Sequence, residues 1–413
     1  MIRELPQSVR VGVCAALTAW LGVGLAGARG HEFAIRVETG AATRRNTPVA
    51  VKLPGRVAEG VRETAKGAWI GGTVDGQSVR YPAQFERTGD GVVLRFVLRR
   101  AEAGRTLDLR LHTHGPESAG PVFSFDDRSV EYVDLRLGDN GVLRYMNARD
   151  EARHFETYKV YHHIFGYHDE PFITKGPVPT YPHHRGMFIG WNHTRIGDQE
   201  VDFWHMKPKG TIQKHRGFAS NELAGAVVGR RTALIDWITP DGRTVIEERR
   251  TVAAFWQPAA QSLFDVDIEL RSRAGRIRLE GDPQHAGFQV RADQEVFENQ
   301  KETVYTVPEG SDYKKNVTAT GPWVASTFKV KGHPYAVMYF SHPSNPHRDT
   351  AVMSTRQYAR FGEYFATDLI EGRPLHLKYR VIVMDTDRHG VLSTPRVQSK
   401  FEDYITPVKV SFP

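Results

Sequence analysis

The residues best suited to chemistry in this sequence are histidines, and they are concentrated in one stretch. Of the 18 histidines, eight lie between His162 and His215. Imidazole can act near neutral pH as an acid, a base or a metal ligand without special tuning of its pKa. We therefore expect a functional site in this stretch.

The densest part of the stretch is His183-His184-Arg185-Gly186. Neighbouring residues on a strand face opposite sides, so both histidines reach one site only if the backbone turns there. Consecutive antiparallel segments usually pair, which would bring the following segments to the same place. The predicted catalytic cluster consists of His183, His184, Arg185, His193, Asp202 and His205.

This cluster suits two kinds of site. His184, His193 and His205 could be three ligands of a divalent metal with open positions, Zn²⁺ or Mn²⁺. Without a metal, one histidine would be the base, and Asp202 or Arg185 would orient it or bind the substrate. Histidines in buried polar networks are the structural alternative. No spacing here matches a named metal motif such as His-Glu-x-x-His.

Aromatic residues beside the cluster favour a carbohydrate ligand, because sugar rings stack on exposed aromatic faces. Core packing is the alternative for the two tryptophans of this region. Further along the chain, His285 and Arg291 lie at the two ends of one short strand (286–291). His342 and Asn345 lie in a rigid polar turn (342–346). The predicted substrate-binding residues are Trp191, Trp204, His215, His285, Arg291, His342 and Asn345.

The elements that must hold this site are predicted to be strands. Segments 107–111, 130–137 and 264–270 alternate between apolar and polar residues, as a strand with one buried face does. Glycine (38) and proline (23) are plentiful, and apolar repeats of helical period are rare. We predict an all-β protein: a small N-terminal β-barrel or sandwich domain at 31–120, then a large antiparallel β-sandwich at 125–413 that carries the site.

The first 28 residues have the pattern of a signal peptide. An apolar run at 11–25 follows a positively charged start and ends in Ala26-Gly27-Ala28, which predicts export to the periplasm or the medium. An uncleaved anchor is the alternative, and no later segment predicts a membrane span. Cys14, the one cysteine, lies in this segment. The processed chain would therefore have neither a thiol nucleophile nor a thiolate metal ligand.

The charge pattern argues against a nucleic-acid partner. The net charge is +7, but the basic residues are interspersed with acids, as in Glu247-Glu248-Arg249-Arg250. Nucleic-acid-binding proteins usually carry a basic block or stripe, which this chain lacks.

Several motifs, taken in order, resemble a domain family of unknown function that is labelled PmoA-like, or "methane oxygenase". The resemblance covers about residues 130–385 and departs from the family at Tyr181, where His is usual, and at His285, where an acid is common. A methane monooxygenase subunit of the particulate type spans the membrane, so we do not expect that activity here. The motifs are Pro182-His183-His184-Arg185-Gly186, Val201-Asp202-Phe203-Trp204, and the segments 286–291, 342–346 and 377–381.

Members of this family tend to be exported proteins of bacteria rich in polysaccharide-degrading enzymes. In addition, segment 79–84 resembles part of the small barrel that precedes the catalytic sandwich in some exo-acting pectin lyases. The family resemblance supports the location of the site without naming a reaction. The expectation of a carbohydrate substrate rests on the export signal, the β-sandwich, the histidine, arginine and aspartate cluster and the flanking tryptophans.

The function expected from the sequence is that of an exported carbohydrate-active enzyme, a lyase or hydrolase of a glycoside or an oxidised glycoside. In the lyase version His184 or His193 removes a proton α to a carbonyl or carboxylate. Arg185 or a bound metal then stabilises the developing negative charge. A non-catalytic glycan-binding module and a mutarotase- or epimerase-like enzyme are the alternatives.

Overall fold

The computed structural model describes residues 31–61, 67–115, 120–206, 210–346 and 351–413. The predicted signal peptide at 1–28 lies outside the described residues. The described chain consists mainly of β-strands joined by short connections, with few helices, so the prediction of an all-β fold is confirmed.

The strands and helices have the following bounds. The N-terminal strands are β1 (Glu32–Glu38), β2 (Arg44–Lys52), β3 (Trp69–Val74), β4 (Gln77–Thr88), β5 (Gly91–Ala101) and β6 (Thr106–His112). The next strands are β7 (Phe123–Asp126), β8 (Tyr132–Leu137), β9 (Asn140–Met146), β10 (Tyr161–Ile164), β11 (Met187–Trp191), β12 (His193–Ile196), β13 (Gln199–Val201), β14 (Ile212–Phe218), β15 (Val228–Ile238), β16 (Thr244–Phe255), β17 (Gln261–Ser272), β18 (Ile277–Glu280) and β19 (Ala286–Arg291). The last strands are β20 (Val304–Thr306), β21 (Tyr313–Lys314), β22 (Thr318–Thr320), β23 (Trp323–Val330), β24 (His333–Ser341), β25 (Val352–Arg356), β26 (Arg360–Tyr364), β27 (Thr367–Leu369), β28 (Leu375–Asp385) and β29 (Lys409–Ser411). The helices are α1 (Gly55–Ala58), α2 (His154–Thr157), α3 (Glu295–Glu298), α4 (Thr386–His389) and α5 (Thr394–Ile405), and a 3₁₀ turn covers Gln300–Glu302.

The N-terminal strands form a seven-stranded sheet in the order β2-β5-β4-β3-β6-β1-β29. Its strand β4 pairs with β3 up to Pro82 and with β5 from Ala83 onward, so the sheet folds over its own apolar core. The last strand pairs with the first, with Ser411 opposite Arg36. Both ends of the described chain therefore meet in this sheet.

The larger part of the chain forms two sheets packed face to face. Their orders are β21-β22-β25-β26-β19-β11-β10-β9-β8-β7 and β14-β15-β16-β17-β28-β24-β23-β20. The ring of Phe288 on β19 stacks on that of Tyr379 on β28, with centroids 4.9 Å apart. Neighbouring strands pair antiparallel, so this is the predicted antiparallel sandwich.

A four-stranded sheet in the order β13-β12-β18-β27 accompanies the sandwich. Helices contribute little beyond α5, and none of those in the described residues is long and apolar enough to span a membrane.

A buried ion pair joins α5 to the first sheet. Arg44 on β2 donates from Nη1 to Asp403 Oδ1 at 3.0 Å, and both side chains are almost fully buried. The hydroxyl of Thr47 donates to the same carboxylate. This contact holds the C-terminal helix against the N-terminal sheet.

Replacing Asp403 with alanine leaves Arg44 as a buried charge without a counter-ion. We expect a loss of about 3–5 kcal/mol in the free energy of unfolding, measured by urea denaturation. The matched control is Asp108→Ala, which removes the exposed partner of Arg36 in the same sheet. It should leave the unfolding midpoint nearly unchanged. Equal, small effects of both substitutions would contradict a stabilising role for the buried Arg44–Asp403 pair.

The sandwich interior also contains a carboxyl group without a cationic partner among the described residues. Glu363 on β26 is buried and hydrogen-bonds to Ser341, Asn345 and Tyr379. Burial raises the pKa of this carboxyl from 4.5 to about 7. Folding therefore favours its protonated form.

This raised pKa makes stability depend on pH. The stabilisation from protonated Glu363 is complete below about pH 4.5 and is lost as the pH rises through about 7, a change of roughly 3 kcal/mol. The variant Glu363→Gln lacks this titration, so it should gain stability relative to the wild type between pH 5 and 8 in urea unfolding. A stability difference that stays constant over this range would contradict the assignment.

Candidate functional site

The candidate site lies on the outer face of the ten-stranded sheet, above β11. Met187, Ile189 and Trp191 of this strand face the sandwich core. Phe188 faces the other way and packs against Trp204, with ring centroids 4.9 Å apart, in a small separate cluster. Because residues on a strand alternate between its two faces, this cluster forms the floor of the site.

Glycine at position 190 allows the next segment to lie directly on this face. A Cβ atom there would come within 2.3 Å of the carbonyl oxygen of Phe203. The Phe203 N–H in turn donates to the carbonyl of Trp191 at 3.0 Å. The turn at 202–206 is therefore pressed against the strand.

Three histidines meet above this floor. His183, His205 and His285 each offer one ring nitrogen, and these three atoms lie within 4.8 Å of one another. All three residues are half-buried. They come from the loop before β11, the turn after β13 and the position just before β19, so three separate segments build the group.

Two of the three imidazole rings are held by a carboxylate three residues earlier. His205 Nδ1 lies 2.8 Å from Asp202 Oδ2, and His285 Nδ1 lies 2.8 Å from Asp282 Oδ2. A carboxylate bonded to Nδ1 fixes the ring and leaves Nε2 free to bind a metal. The two Asp-x-x-His segments are thus equivalent in geometry.

Burial favours neutral imidazole at two of the three histidines, His183 and His285. Burial lowers the pKa of His183, and the nearby His205 and Lys159 lower it further. Burial also lowers the pKa of His285, although Asp282 opposes this shift. Only a neutral ring has a lone pair to give to a metal ion, so these histidines suit that role near neutral pH.

The histidine group opens into a cavity of about 370 Å³. This size lies in the range of about 300–1,000 Å³ that is usual for small-molecule sites. Among the described residues, the lining is rich in histidine, arginine and tyrosine and includes no acid. It consists of Tyr181, His183, His184, His205, His285, Arg356, Gln357, Tyr358 and Arg360.

His184 lines this cavity beside the group of three. Its side chain is buried, and neither ring nitrogen has a hydrogen-bond partner among the described residues. Burial lowers the pKa of its ring, so the imidazole is neutral near pH 7. A neutral ring with two unbonded nitrogens at a cavity can accept a proton from a bound molecule.

Two buried lysines hold the backbone that carries His183 and His184. Lys159 Nζ donates to the carbonyls of His183 (3.2 Å) and Trp204 (2.7 Å). Lys175 Nζ donates to the carbonyls of Tyr181 and His184. Burial lowers the pKa of Lys159 well below its ordinary value and that of Lys175 to about 7. The expected turn exists here, with Tyr181 at φ 49°.

The predicted ligand set differs from the group that the fold brings together. Of His184, His193 and His205, only His205 belongs to it. His193 lies on β12, half exposed, with Nδ1 2.8 Å from Glu200. The expectation assumed that consecutive segments pair, but β11 pairs with β10 and β19, whereas β12 pairs with β13 and β18.

For the two tryptophans predicted to bind the substrate, the structure favours the alternative of core packing. Trp191 and Trp204 are both fully buried. Trp191 Nε1 donates to the carbonyl of Phe365 inside the core, and Trp204 lies beneath the histidines. Neither indole has an exposed face on which a sugar ring could stack.

The two predicted arginines are also buried rather than exposed in the cavity. Arg185 donates from Nη2 to the carbonyl of Phe155. Arg291 donates from Nη1 to the carbonyls of Ala292 and Tyr358. Neither residue belongs to the cavity lining.

The remaining predicted substrate-binding residues, His215, His342 and Asn345, lie outside the cavity lining. His215 Nδ1 lies 3.2 Å from the Tyr145 hydroxyl. His342 Nδ1 contacts Ser344 within its own turn. Asn345 holds the backbone of Lys378 through two hydrogen bonds, which is a structural role.

Sequence reasoning missed the β25–β26 hairpin and the acid Asp282. Arg356 and Arg360 line the cavity from this hairpin, about 150 residues after the histidine-rich stretch. No local motif identifies them. The repeated pattern Asp202-Phe203-Trp204-His205 and Asp282-Pro283-Gln284-His285 was visible in the sequence, and it marks His285 as a residue with the same local carboxylate partner as His205.

Compared with models of known protein families, residues 132–392 match a family of unknown function, DUF6807. The chain belongs to this family. The match spans every residue of the cavity lining and agrees with the region of about 130–385 expected from the motifs. This match supports neither the PmoA-like label nor the resemblance to pectin lyases. No curated protein matches the chain.

The carboxylate–histidine pairs predict how metal affinity responds to substitution. Asp202→Asn and Asp282→Asn should each weaken Zn²⁺ or Mn²⁺ binding by about 10–100-fold, because the ring loses its orientation and basicity. His285→Ala should weaken binding further. Equilibrium titration against a competing chelator measures these affinities.

Two histidines outside the group serve as controls in this titration. His193→Ala should retain wild-type affinity. So should His333→Ala, which alters another possible ligand group, formed with Asp169 and Glu170. A greater loss in either control than in His285→Ala would contradict the assignment of the metal ligands.

Proposed function

We propose that this protein is an exported carbohydrate-active enzyme, a lyase or hydrolase of a glycoside or an oxidised glycoside, assisted by a metal ion at the three-histidine group. One observation carries the proposal. Three imidazole nitrogens converge within 4.8 Å at a cavity that is also lined by His184, whose ring nitrogens have no partner among the described residues.

The donor set fits a divalent cation of the zinc or manganese type. Three imidazoles with no thiolate leave further positions for a substrate oxygen. The carboxylates of Asp202 and Asp282 behind two of the rings are the usual second partners of metal-binding histidines. A bound cation would polarise a carbonyl or carboxylate oxygen of the substrate and stabilise negative charge there.

His184 is the proposed base. In a lyase, its ring accepts the proton from the carbon next to a carbonyl or carboxylate. The electron pair of that C–H bond becomes the new double bond as the glycosidic oxygen leaves from the adjacent carbon. In a hydrolase, the same ring accepts a proton from the attacking water. His193, the alternative base predicted from the sequence, is not part of the cavity lining and bonds to Glu200.

An aromatic residue at the cavity supports a sugar as the substrate. Tyr181 is 40% exposed and lies against Tyr358, with ring centroids 5.3 Å apart. Its side chain is therefore accessible to a bound sugar, unlike those of the buried tryptophans. The signal-peptide pattern at 1–28 supports export, which agrees with a substrate outside the cytoplasm.

The alternatives differ in their products. A glycan-binding module would release none, and the buried tryptophans weaken the stacking argument for it. A mutarotase- or epimerase-like enzyme would use the same base without cleaving a bond. Analysis of products therefore separates the three functions.

The test is a glycoside screen with metal-loaded protein, read by ultraviolet absorbance of unsaturated products and by new reducing ends. On the substrate found, His184→Ala should lower kcat by about 10²–10⁴-fold while metal content stays at the wild-type level. His193→Ala should retain activity. Full turnover by His184→Ala would refute the role of this residue.

A further inference from the structure

Five basic side chains, three of arginine and two of lysine, are buried next to the cavity or to the backbone that lines it. Such residues are rarely buried unless a counter-charge accompanies them. Each is at most 2% exposed, and they are Lys159, Lys175, Arg185, Arg291 and Arg360.

None of the five pairs with a carboxylate among the described residues. The two lysines, Arg185 and Arg291 donate only to backbone carbonyls. Arg360 donates to the side-chain oxygens of Gln289 and Gln284, both at 2.9 Å. Its buried Nε has no partner in the described part of the chain. Neutral amides orient this guanidinium but leave its charge uncompensated.

Buried arginines elsewhere in the same protein are neutralised. Arg250 pairs with Glu248 at 2.6 Å, and Arg44 pairs with Asp403 at 3.0 Å. Burying a charge without a partner costs several kcal/mol. The unpaired charge of Arg185, Arg291 and Arg360 is therefore a property of this site, and a bound anion would relieve it.

The two arginines in the described cavity lining are placed to bind such an anion. Arg360 lies at its wall, and Arg356, at the other side of the same hairpin turn, is only half-buried. Arg356 donates to the carbonyl of Asn316 and pairs with no described carboxylate. The planar guanidinium group matches the geometry of a carboxylate. The described lining offers no acid that would repel it.

We propose that the substrate is a uronic acid residue whose carboxylate binds Arg356 and Arg360 beside the three-histidine group. This inference rests on the proposed function for the sugar, but the anion site itself does not require the metal.

The carboxylate also distinguishes between the two reactions. Neutralising it by arginine makes the adjacent C–H bond more acidic, because negative charge develops on the carboxylate oxygens as the proton leaves. His184 then takes this proton, the C–H electron pair forms the double bond, and the glycosidic oxygen departs with its bonding pair and takes a proton from water. An anionic sugar therefore favours the lyase reaction.

The test measures binding of galacturonate, its methyl ester, galactose and sulfate to the full chain by isothermal titration calorimetry, with and without Zn²⁺. Galacturonate should bind at least 10-fold more tightly than the ester and galactose, and more tightly than sulfate. Arg356→Gln should lower its affinity at least 10-fold. Arg243→Gln, at an exposed arginine in a distant turn of the chain, should leave it unchanged. Arg360→Gln should lower the affinity for galacturonate further. If the Arg360→Gln variant fails to fold, Arg356→Gln alone provides the test.

Equal binding of the acid and its ester, or an unchanged affinity in Arg356→Gln, would overturn the proposal. Sulfate binding as tight as that of galacturonate would overturn the assignment to a sugar acid. Galacturonate binding in a protein that binds no Zn²⁺ would support the anion site and would reject only the metal-assisted function.

Discussion

The contact between the 202–206 turn and the outer face of β11 is the constraint on which the site depends. Glycine at position 190 leaves room for the carbonyl of Phe203, and the N–H of Phe203 bonds back to Trp191. Trp204 then covers Phe188, and its neighbour His205 reaches His183. Any larger residue at 190 would push this turn away, and His205 would then move out of the histidine group.

Charge is the second organising feature of the site. The buried arginines and lysines around the site donate hydrogen bonds to backbone carbonyls and side-chain amides. The nearby acids Asp202 and Asp282 bond to histidine rings instead. Such an arrangement lowers stability in the free protein. Proteins tend to break the rules of polar satisfaction at functional sites, where a ligand completes the structure. The cavity above β11 fits this description.

Much of the fold was predictable from the sequence, because alternation of apolar residues reports directly on strands with one buried face. The proximity of some candidate residues was also predictable: His183, His184 and His205 line one cavity. Strand pairing was not. The neighbour of β11 on one side is β19, which lies about 100 residues later and brings His285 in place of His193. Local patterns cannot report such long-range pairing. Nor do they show that both tryptophans are buried.

The central claim is that His183, His205 and His285 bind one divalent cation. X-ray absorption spectroscopy of the Zn²⁺-loaded protein tests it most directly. The account predicts a single zinc environment with three imidazole ligands at about 2.0–2.1 Å, falling to two imidazoles or to loss of zinc in His285→Ala. A spectrum dominated by carboxylate oxygen ligands, or one unchanged by His285→Ala, would contradict it.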